Sequence, residues 1–487
     1  MGYAQFKQQQ ISNAQQSFLR YLSAESNRNK AEYADALNRV GDTYYYNRNF
    51  ADAENYYARA SNANPETADY AAYQKAFVMG LQRNYQGKIA ALNEMMSNFP
   101  NSAYYDDALY EKSRALTVLN RETEAINTLK ELISKYPKSP SASKGGIQLG
   151  QLYYNVENYS QSVNAYKSVI ENFPGSEDAR AALISMETVY RDMNDIQSYV
   201  NYANSLPGGM RISPTRQDSL TYLAAEGLYM KGSAQQAESA MLNYLQSYPN
   251  GAYSGDANYY LGLISLKKGN QQQAVSYYRK VIDMNSAKFM DDALSYTSSY
   301  AYSNGNYQSA LADYSKLANV AQSSEKRLEG QLGVARSQFK LESYHEAIRS
   351  ASQVISNTNL SPDVETEALY IRGKSYQKVN EIDKAIADYQ EIAKDTRSIY
   401  GSEAQFILAD TYYNWKSYDK AEAQVKDFMQ KGSPHQYWMA RALIVLSDTY
   451  KAKGDDFQAR QYIESLKANY KGNESDIQQM INDRLNN

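Results

Sequence analysis

The sequence contains no cysteine. Disulfides, thiolate nucleophiles and cysteine-ligated zinc are therefore excluded. The compartment stays open, because a thiol-free chain suits oxidising and reducing surroundings alike. No apolar run reaches the roughly 18 residues that a membrane-crossing helix needs. The chain does not open on a basic stretch followed by an apolar one, so no signal peptide is visible. Phe6 stands where N-myristoylation would require Ser or Thr. Histidine is nearly missing: His345 and His435 are the only two, and both read as surface or turn residues rather than bases or ligands. Neither of the phosphate-cradling patterns GxxxxGK[ST] and GxGxxG occurs. Charge of one sign is also lacking. The 51 basic and 54 acidic residues leave a net −3, which gives no electrostatic reason to bind nucleic acid or an anionic membrane.

Tyrosine is abundant: 48 residues against 11 phenylalanines. A ring with a polar tip suits a half-buried position, so this excess points to many partly wet sites rather than one dry interior. At 487 residues a single compact core is not expected. Self-similarity explains both features. "GDTYYYNRNFADAENYYARASNANP" (Gly41 to Pro65) aligns with "LGQLYYNVENYSQSVNAYKSVIENFP" (Leu149 to Pro174). A small residue recurs every 35–39 positions: Ala14, Ala53, Lys88, Ala125, Ser162, Tyr199, Ala237, Ala274, Ala310, Ala347, Ala385, Ala421 and Ala459. Ten of these thirteen are alanine, so the period spans the whole chain.

Each unit reads as two helices. Leu149, Gly150 and Tyr153 share a face of the first, and Ala274, Tyr278 and Val281 share a face of the second. The small residues let the two backbones approach, and larger ones fill the space towards the neighbour. Turns such as "KKGN" and "SNGN" offer Gly or Asn for φ > 0. "NFPNS", "KYPKS", "NFPGS" and "SYPNG" end second helices with Pro. Ser102, Ser139 and Ser176 are placed to cap the helix that follows, and Ser139-Pro140 and Ser361-Pro362 add Pro at the first helical position. The pair Asp106-Asp107, echoed at Asp291-Asp292, reads as helix-dipole compensation. Trp415 and Trp438 read as packing.

These positions resemble the tetratricopeptide repeat, over nearly the whole chain. The resemblance implies an all-α fold: an α-solenoid of about thirteen helix hairpins with a right-handed superhelical twist. The long period of about 37 residues and the Pro-containing linkers are similar to periplasmic repeat proteins of outer-membrane biogenesis and of the Tol-Pal system, and the Tyr/Asn/Gln/Ser-rich composition resembles exported proteins of Bacteroidetes. An N-terminal array is expected over 1–206, its first unit truncated and its sixth degenerate at Tyr199. An interrupting linker or hinge is expected at 207–218, a C-terminal array at 219–472 and a capping helix at 473–487, with Ser475 and Gln478 as a capping box. Met1-Gly2-Tyr3 stands where Leu-Gly stands elsewhere, so the chain is expected to be a fragment of a longer protein.

In the repeat family one side of the first helix lines a concave groove. Two positions seven residues apart on that side carry Tyr45, Tyr73, Tyr110, Tyr154, Tyr222, Tyr229, Tyr259, Tyr302, Phe339, Tyr370, Phe406 and Tyr413. This ladder is the candidate partner-binding surface, rings at interfaces being rigid and amphipathic. The competing reading is that each ring only packs against the next unit. Where some members of the family place a Lys to clamp a partner's terminal carboxylate, this chain has none: the series runs Asn38, Tyr73, Tyr110, Ile147, Ile184, Tyr222 and onward. The expectation is a non-enzymatic scaffold without metal or cofactor. It would bind a protein or peptide partner in the cell envelope, at the periplasmic face of the outer membrane. A glycan- or peptidoglycan-binding solenoid and a cytoplasmic regulatory sensor are the alternatives.

Overall fold

A computed structural model describes residues 1–208 and 211–486. Every regular element among them is helical. The first hairpins are α1 (Gly2–Lys7) with α2 (Ile11–Ala24), α3 (Ala31–Tyr46) with α4 (Phe50–Ser61), and α5 (Ala68–Leu81) with α6 (Tyr85–Asn98). Next come α7 (Tyr105–Val118) with α8 (Glu122–Lys135), α9 (Pro140–Asn155) with α10 (Tyr159–Asn172), and α11 (Glu177–Asp192) with the short α12 (Ile196–Ser205). They are followed by α13 (Pro214–Met230) and α14 (Ala234–Ser247), then α15 (Ser254–Lys267) with α16 (Gln271–Asp283), and α17 (Met290–Ser303) with α18 (Tyr307–Val320). The last pairs are α19 (Ser324–Lys340) with α20 (Tyr344–Ile355), α21 (Pro362–Lys378) with α22 (Ile382–Ile392), α23 (Ile399–Asn414) with α24 (Tyr418–Lys431), and α25 (Gln436–Ala452) with α26 (Asp456–Asn469). A lone helix, α27 (Ser475–Asn486), ends the chain.

The chain forms two compact units, Met1–Ala240 and Met241–Asn487. Inside each, a second helix packs both on the first helix of its own hairpin and on the first helix of the next, as α4 does on α3 and α5, and α18 on α17 and α19. Successive first helices also lie side by side, as α5, α7 and α9 do, and α19, α21 and α23. Of the segment 207–218, Gly209 and Met210 lie outside the described residues, while Pro214 to Asp218 already belong to α13.

The hairpins are built on a size-matched pair sixteen residues apart. Where the first helix carries Gly, the second carries a ring lying over it: Gly2 under Phe18, Gly41 under Tyr57, Gly150 under Tyr166, Gly262 under Tyr278 and Gly373 under Tyr389. A Cβ at Gly150 would come within 2.5 Å of the Tyr166 ring, and one at Gly262 within 2.6 Å of Tyr278. Where Ala holds the first position, the second is aliphatic: Ala76 with Leu92, Ala335 with Ala351, Ala409 with Val425. Tyr314 breaks the rule, facing Ser298 in its own hairpin, and the next hairpin gives way instead with Gly333 beneath its ring. In most hairpins bulk lost on one helix is thus made up on the other, and at Ala335 and Ala351 both are small, as the Tyr314 ring of the preceding hairpin already packs on Gly333.

One turn geometry recurs. The residue at φ > 0 is Arg48, Arg83, Asn120, Glu157, Asn194, Gly232, Gly269, Gly305, Glu342, Asn380, Lys416 or Gly454 in the successive hairpins. The residue after it often caps the second helix: the side chains of Asn49, Asn84, Asn158, Asp195, Asn270 and Asn306 each accept a backbone N–H. The Ser caps at 139, 176 and 361 form as expected. Ser102 does not cap its helix. Its hydroxyl donates to Asp69 (2.7 Å), and α7 starts three residues later, at Tyr105. At α27 the Gln478 N–H bonds the Glu474 carbonyl, so Ser475 is already helical and the expected capping box does not form.

Candidate binding groove on the first helices

The aromatic ladder separates into two kinds of contact. At the earlier position, rings bridge to the start of the next first helix: Tyr73 stacks on Tyr104 (5.4 Å), Tyr259 on Phe289 (3.8 Å), Tyr370 on Tyr400 (4.5 Å) and Phe406 on Trp438 (5.7 Å). At the later position, rings fold onto the first residue of their own second helix: Tyr45 on Phe50, Tyr154 on Tyr159, Tyr302 on Tyr307, Phe339 on Tyr344 and Tyr413 on Tyr418. Most of these rings are half-buried, so packing takes up one face of each and leaves part of the other open. Tyr229 is half-buried as well. Tyr222 has only 1% of its surface exposed and donates to Glu226 (2.8 Å), so it offers a partner no surface.

Hydroxyls on this face are held by carboxylates of the next unit. Tyr154 donates to Asp192 (2.7 Å), which pushes its pKa up to about 12, and Tyr370 donates to Glu403 (3.0 Å). In the second unit the charges on the face are also tied across. Arg336 forks onto Glu367 (2.5 and 2.6 Å), Lys374 reaches Glu403 (2.6 Å) and Arg484 forks onto Asp448 (both 2.6 Å). These pairs clamp successive first helices together.

The first unit has such ties near its end, where Arg216 reaches Glu187 (2.7 Å) and Lys231 reaches Asp192 (3.3 Å), but its earlier hairpins differ. Here α5, α7 and α9 wall a groove of 610 Å³, with Tyr85 and Lys88 of α6 beneath it. Tyr110 is the one ladder residue that lines it; Tyr45 and Tyr73 stand at its edge, each about 6 Å from the Phe77 ring. Lys88 occupies the small-residue position of its hairpin and has only 6% of its surface exposed. Its ammonium lies against the Phe77 ring (5.5 Å) and pairs with Glu111 of α7. The other Glu111 oxygen accepts from Arg114 (2.9 Å), and this carboxylate holds the Arg114 guanidinium pKa above its ordinary value. Arg114 itself lies over Tyr110 (5.9 Å) and keeps 56% of its side chain exposed. Gln148 of α9 locks onto α7, accepting from Ser113 (3.0 Å) and donating to Thr117 (2.9 Å). Burial raises the pKa of Tyr73 and of Tyr110, so both stay neutral donors at physiological pH.

Sequence reasoning did not single out Phe77, Lys88, Glu111 or Arg114. The signal was present in the spacing alone: Lys88 breaks a column of alanines. No group of carboxylates and histidines that could hold a metal occurs among the described residues. No helix there is long and apolar enough to cross a membrane.

Comparison with known families places tetratricopeptide repeats in both units. One profile described as tetratricopeptide repeat matches residues 107–139, 147–176 and 367–395, and a second of the same description matches 255–288. The first two stretches cover most of the α7–α8 and α9–α10 hairpins, which wall the groove. Among curated proteins nothing matches the chain. Similar solved structures include a Naa15/Naa10 complex bound to HypK-THB (12% identity, 99% of this chain and 88% of that one, TM-score 0.32). Others are the APC/C hetero-tetramer Cut9-Hcn1 (14%, 96% and 98%, 0.31) and yeast Tom70 (14%, 93% and 95%, 0.32). None of these scores reaches 0.5, so the likeness carries no weight beyond the repeats themselves.

Proposed function

We propose that this chain is a non-catalytic scaffold holding a protein or peptide partner along the exposed side of its first helices. The observation that carries this reading is the groove of α5, α7 and α9. Half-buried rings, exposed apolar side chains and fixed charges converge there, with no arrangement of nucleophile, base and oxyanion donors beside them. Repeats of this kind present such surfaces over several units, and affinity accumulates from modest contacts. A scan with a photo-crosslinking amino acid tests the reading. Positions on first helices, such as Val118 (55% exposed), should yield protein adducts, whereas the more open Phe457 of the second helix α26 (69%) should not. Adducts confined to second helices would refute it. The setting we propose is the cell envelope, at the periplasmic face of the outer membrane. It rests on the composition and linker pattern, and cell fractionation with a fused reporter tests it: a cytoplasmic signal alone would reject it.

A further inference from the structure

The later column of the ladder lacks a ring where the groove lies, as it does singly at Arg191, Leu266, Gln377 and Lys451. Four residues after the small position of each first helix the chain carries Tyr45, then Gly80, then Thr117, then Tyr154. The two consecutive hairpins without a ring there supply α5 and α7. In the same stretch Lys88 replaces the alanine of the second helix. The two departures fit each other, because a Cβ on Gly80 would lie 2.8 Å from Cδ of Lys88. Glycine clears the space that the lysine stem fills.

Stability does not account for this exchange. An alanine would close the site without a buried charge, and buried ion pairs are generally no better than apolar residues of similar volume. The charge balance gives a different reason. Three cations, Lys88, Arg114 and Lys144, line the groove against the single anion Glu111, on a chain whose net charge is −3. Lys88 and Arg114 share the Glu111 carboxylate, one on each oxygen, so the three groups together keep one net positive charge, which the exposed Arg114 presents to the groove. Lys144 is exposed and has no carboxylate partner among the described residues. Leu81 (43%) and Val118 (55%) are exposed beside them, with Ile147 of α9 between.

We propose that this groove takes an acidic segment of a protein partner whose carboxylates are flanked by large apolar side chains. The carboxylates pair with Arg114 and Lys144, and the apolar groups lie on Leu81, Val118 and Ile147. Lys88 is a positioning residue that acts through Glu111. The cations come from positions other than the one whose Lys was sought in the sequence, so the missing lysine there does not bear on this site. The inference deepens the scaffold reading and rests on it.

Fluorescence polarisation with the full chain tests it. The probe is a labelled decapeptide of Glu, Asp, Leu and Phe; matched peptides carry Gln and Asn, or Lys, in place of the acids. The acidic peptide should bind at least tenfold more tightly than the amide one and weaken as salt is raised. Arg114→Glu with Lys144→Glu should weaken it at least tenfold with unchanged circular dichroism; both side chains are exposed and Lys88 still holds Glu111, so the fold is kept although thermal unfolding shifts down with the loss of the Arg114–Glu111 pair. Lys88→Met should weaken it as well, without the charge reversal. Equal binding of acid and amide peptides, tighter binding of the Lys peptide, no binding of any, or full binding by the Arg114→Glu/Lys144→Glu variant would overturn the proposal. Protein adducts at Val118 that persist in that double variant would leave the scaffold reading standing and remove only the acidic chemistry.

Discussion

Replacing Gly150 with alanine tests the packing logic of the repeat. An added Cβ would meet three Tyr166 ring atoms at 2.5, 2.6 and 2.8 Å, all below van der Waals contact. Tyr166 cannot swing away, being 1% exposed and enclosed by Val163, Val169 and Ile170 of its own helix and by α11. Nor can the two helices part freely, because the Ser162 hydroxyl donates to the Gly150 carbonyl (2.7 Å). Overpacking of this sort costs about 1–3 kcal/mol. Against that, alanine is the better helix former by about 1 kcal/mol. With the clash near the top of its range, the net loss is about 2 kcal/mol. Tyr166→Leu alone also destabilises, by roughly 2–4 kcal/mol for the void over Gly150. The two together recreate the Ala76 and Leu92 pairing of the third hairpin, so the double variant should be more stable than their sum by about 2–3 kcal/mol. Urea unfolding followed by circular dichroism gives the totals, and hydrogen exchange in α9 and α10 localises them. Additivity within about 0.5 kcal/mol would refute the size-matched pair.

Four further outcomes follow from the same structure. Lys88→Met should cost about 1–3 kcal/mol, less than a fully broken buried pair because Arg114 still holds Glu111, whereas Lys88→Met with Glu111→Leu should return to within about 1 kcal/mol of the parent or exceed it, as read by urea midpoints. Glu342→Gly removes a side chain from a left-handed backbone position (φ 60°) and should stabilise by up to about 1 kcal/mol, visible as a raised melting temperature. Ser176→Ala deletes the cap that accepts the Ala179 N–H (3.0 Å) and should cost about 1 kcal/mol, with faster exchange at the start of α11. The Glu422 carboxyl, held by Lys426 and Lys453, is lowered to about 2 from its ordinary 4.5. A depressed acid stabilises fully above its unfolded pKa and loses that contribution as pH falls towards the folded one. Unit 2 should therefore lose a few tenths to about 1 kcal/mol between pH 4.5 and 2, a loss that Glu422→Gln abolishes in acid titrations.

The hairpins were legible because their determinants are local and repeated. The alanine column, the Pro-Ser boundaries and the glycine and asparagine turns each act within a few residues, and thirteen copies reinforce one another. Ser102 misled because its neighbours Tyr104 and Tyr105 pack and delay the helix start, which a cap pattern cannot foresee. The ladder was readable as a list of positions. The division of its rings between bridging to the next hairpin and folding over a turn depends on partners about 30 or five residues away, which spacing alone does not rank. Lys88 was visible as an exception, yet its meaning needs three distant residues at once: Gly80, whose missing Cβ makes room, and Glu111 and Arg114 on the next first helix. A period-based reading averages over hairpins, so it hides a hairpin that departs.

The most direct test of the account is a hydrogen-exchange footprint of the acidic decapeptide on the intact chain. Slowed exchange should fall on α5, α7 and α9 and leave α8 and α10 at their free rates. Protection on those second helices, or none anywhere at saturating peptide, would contradict it.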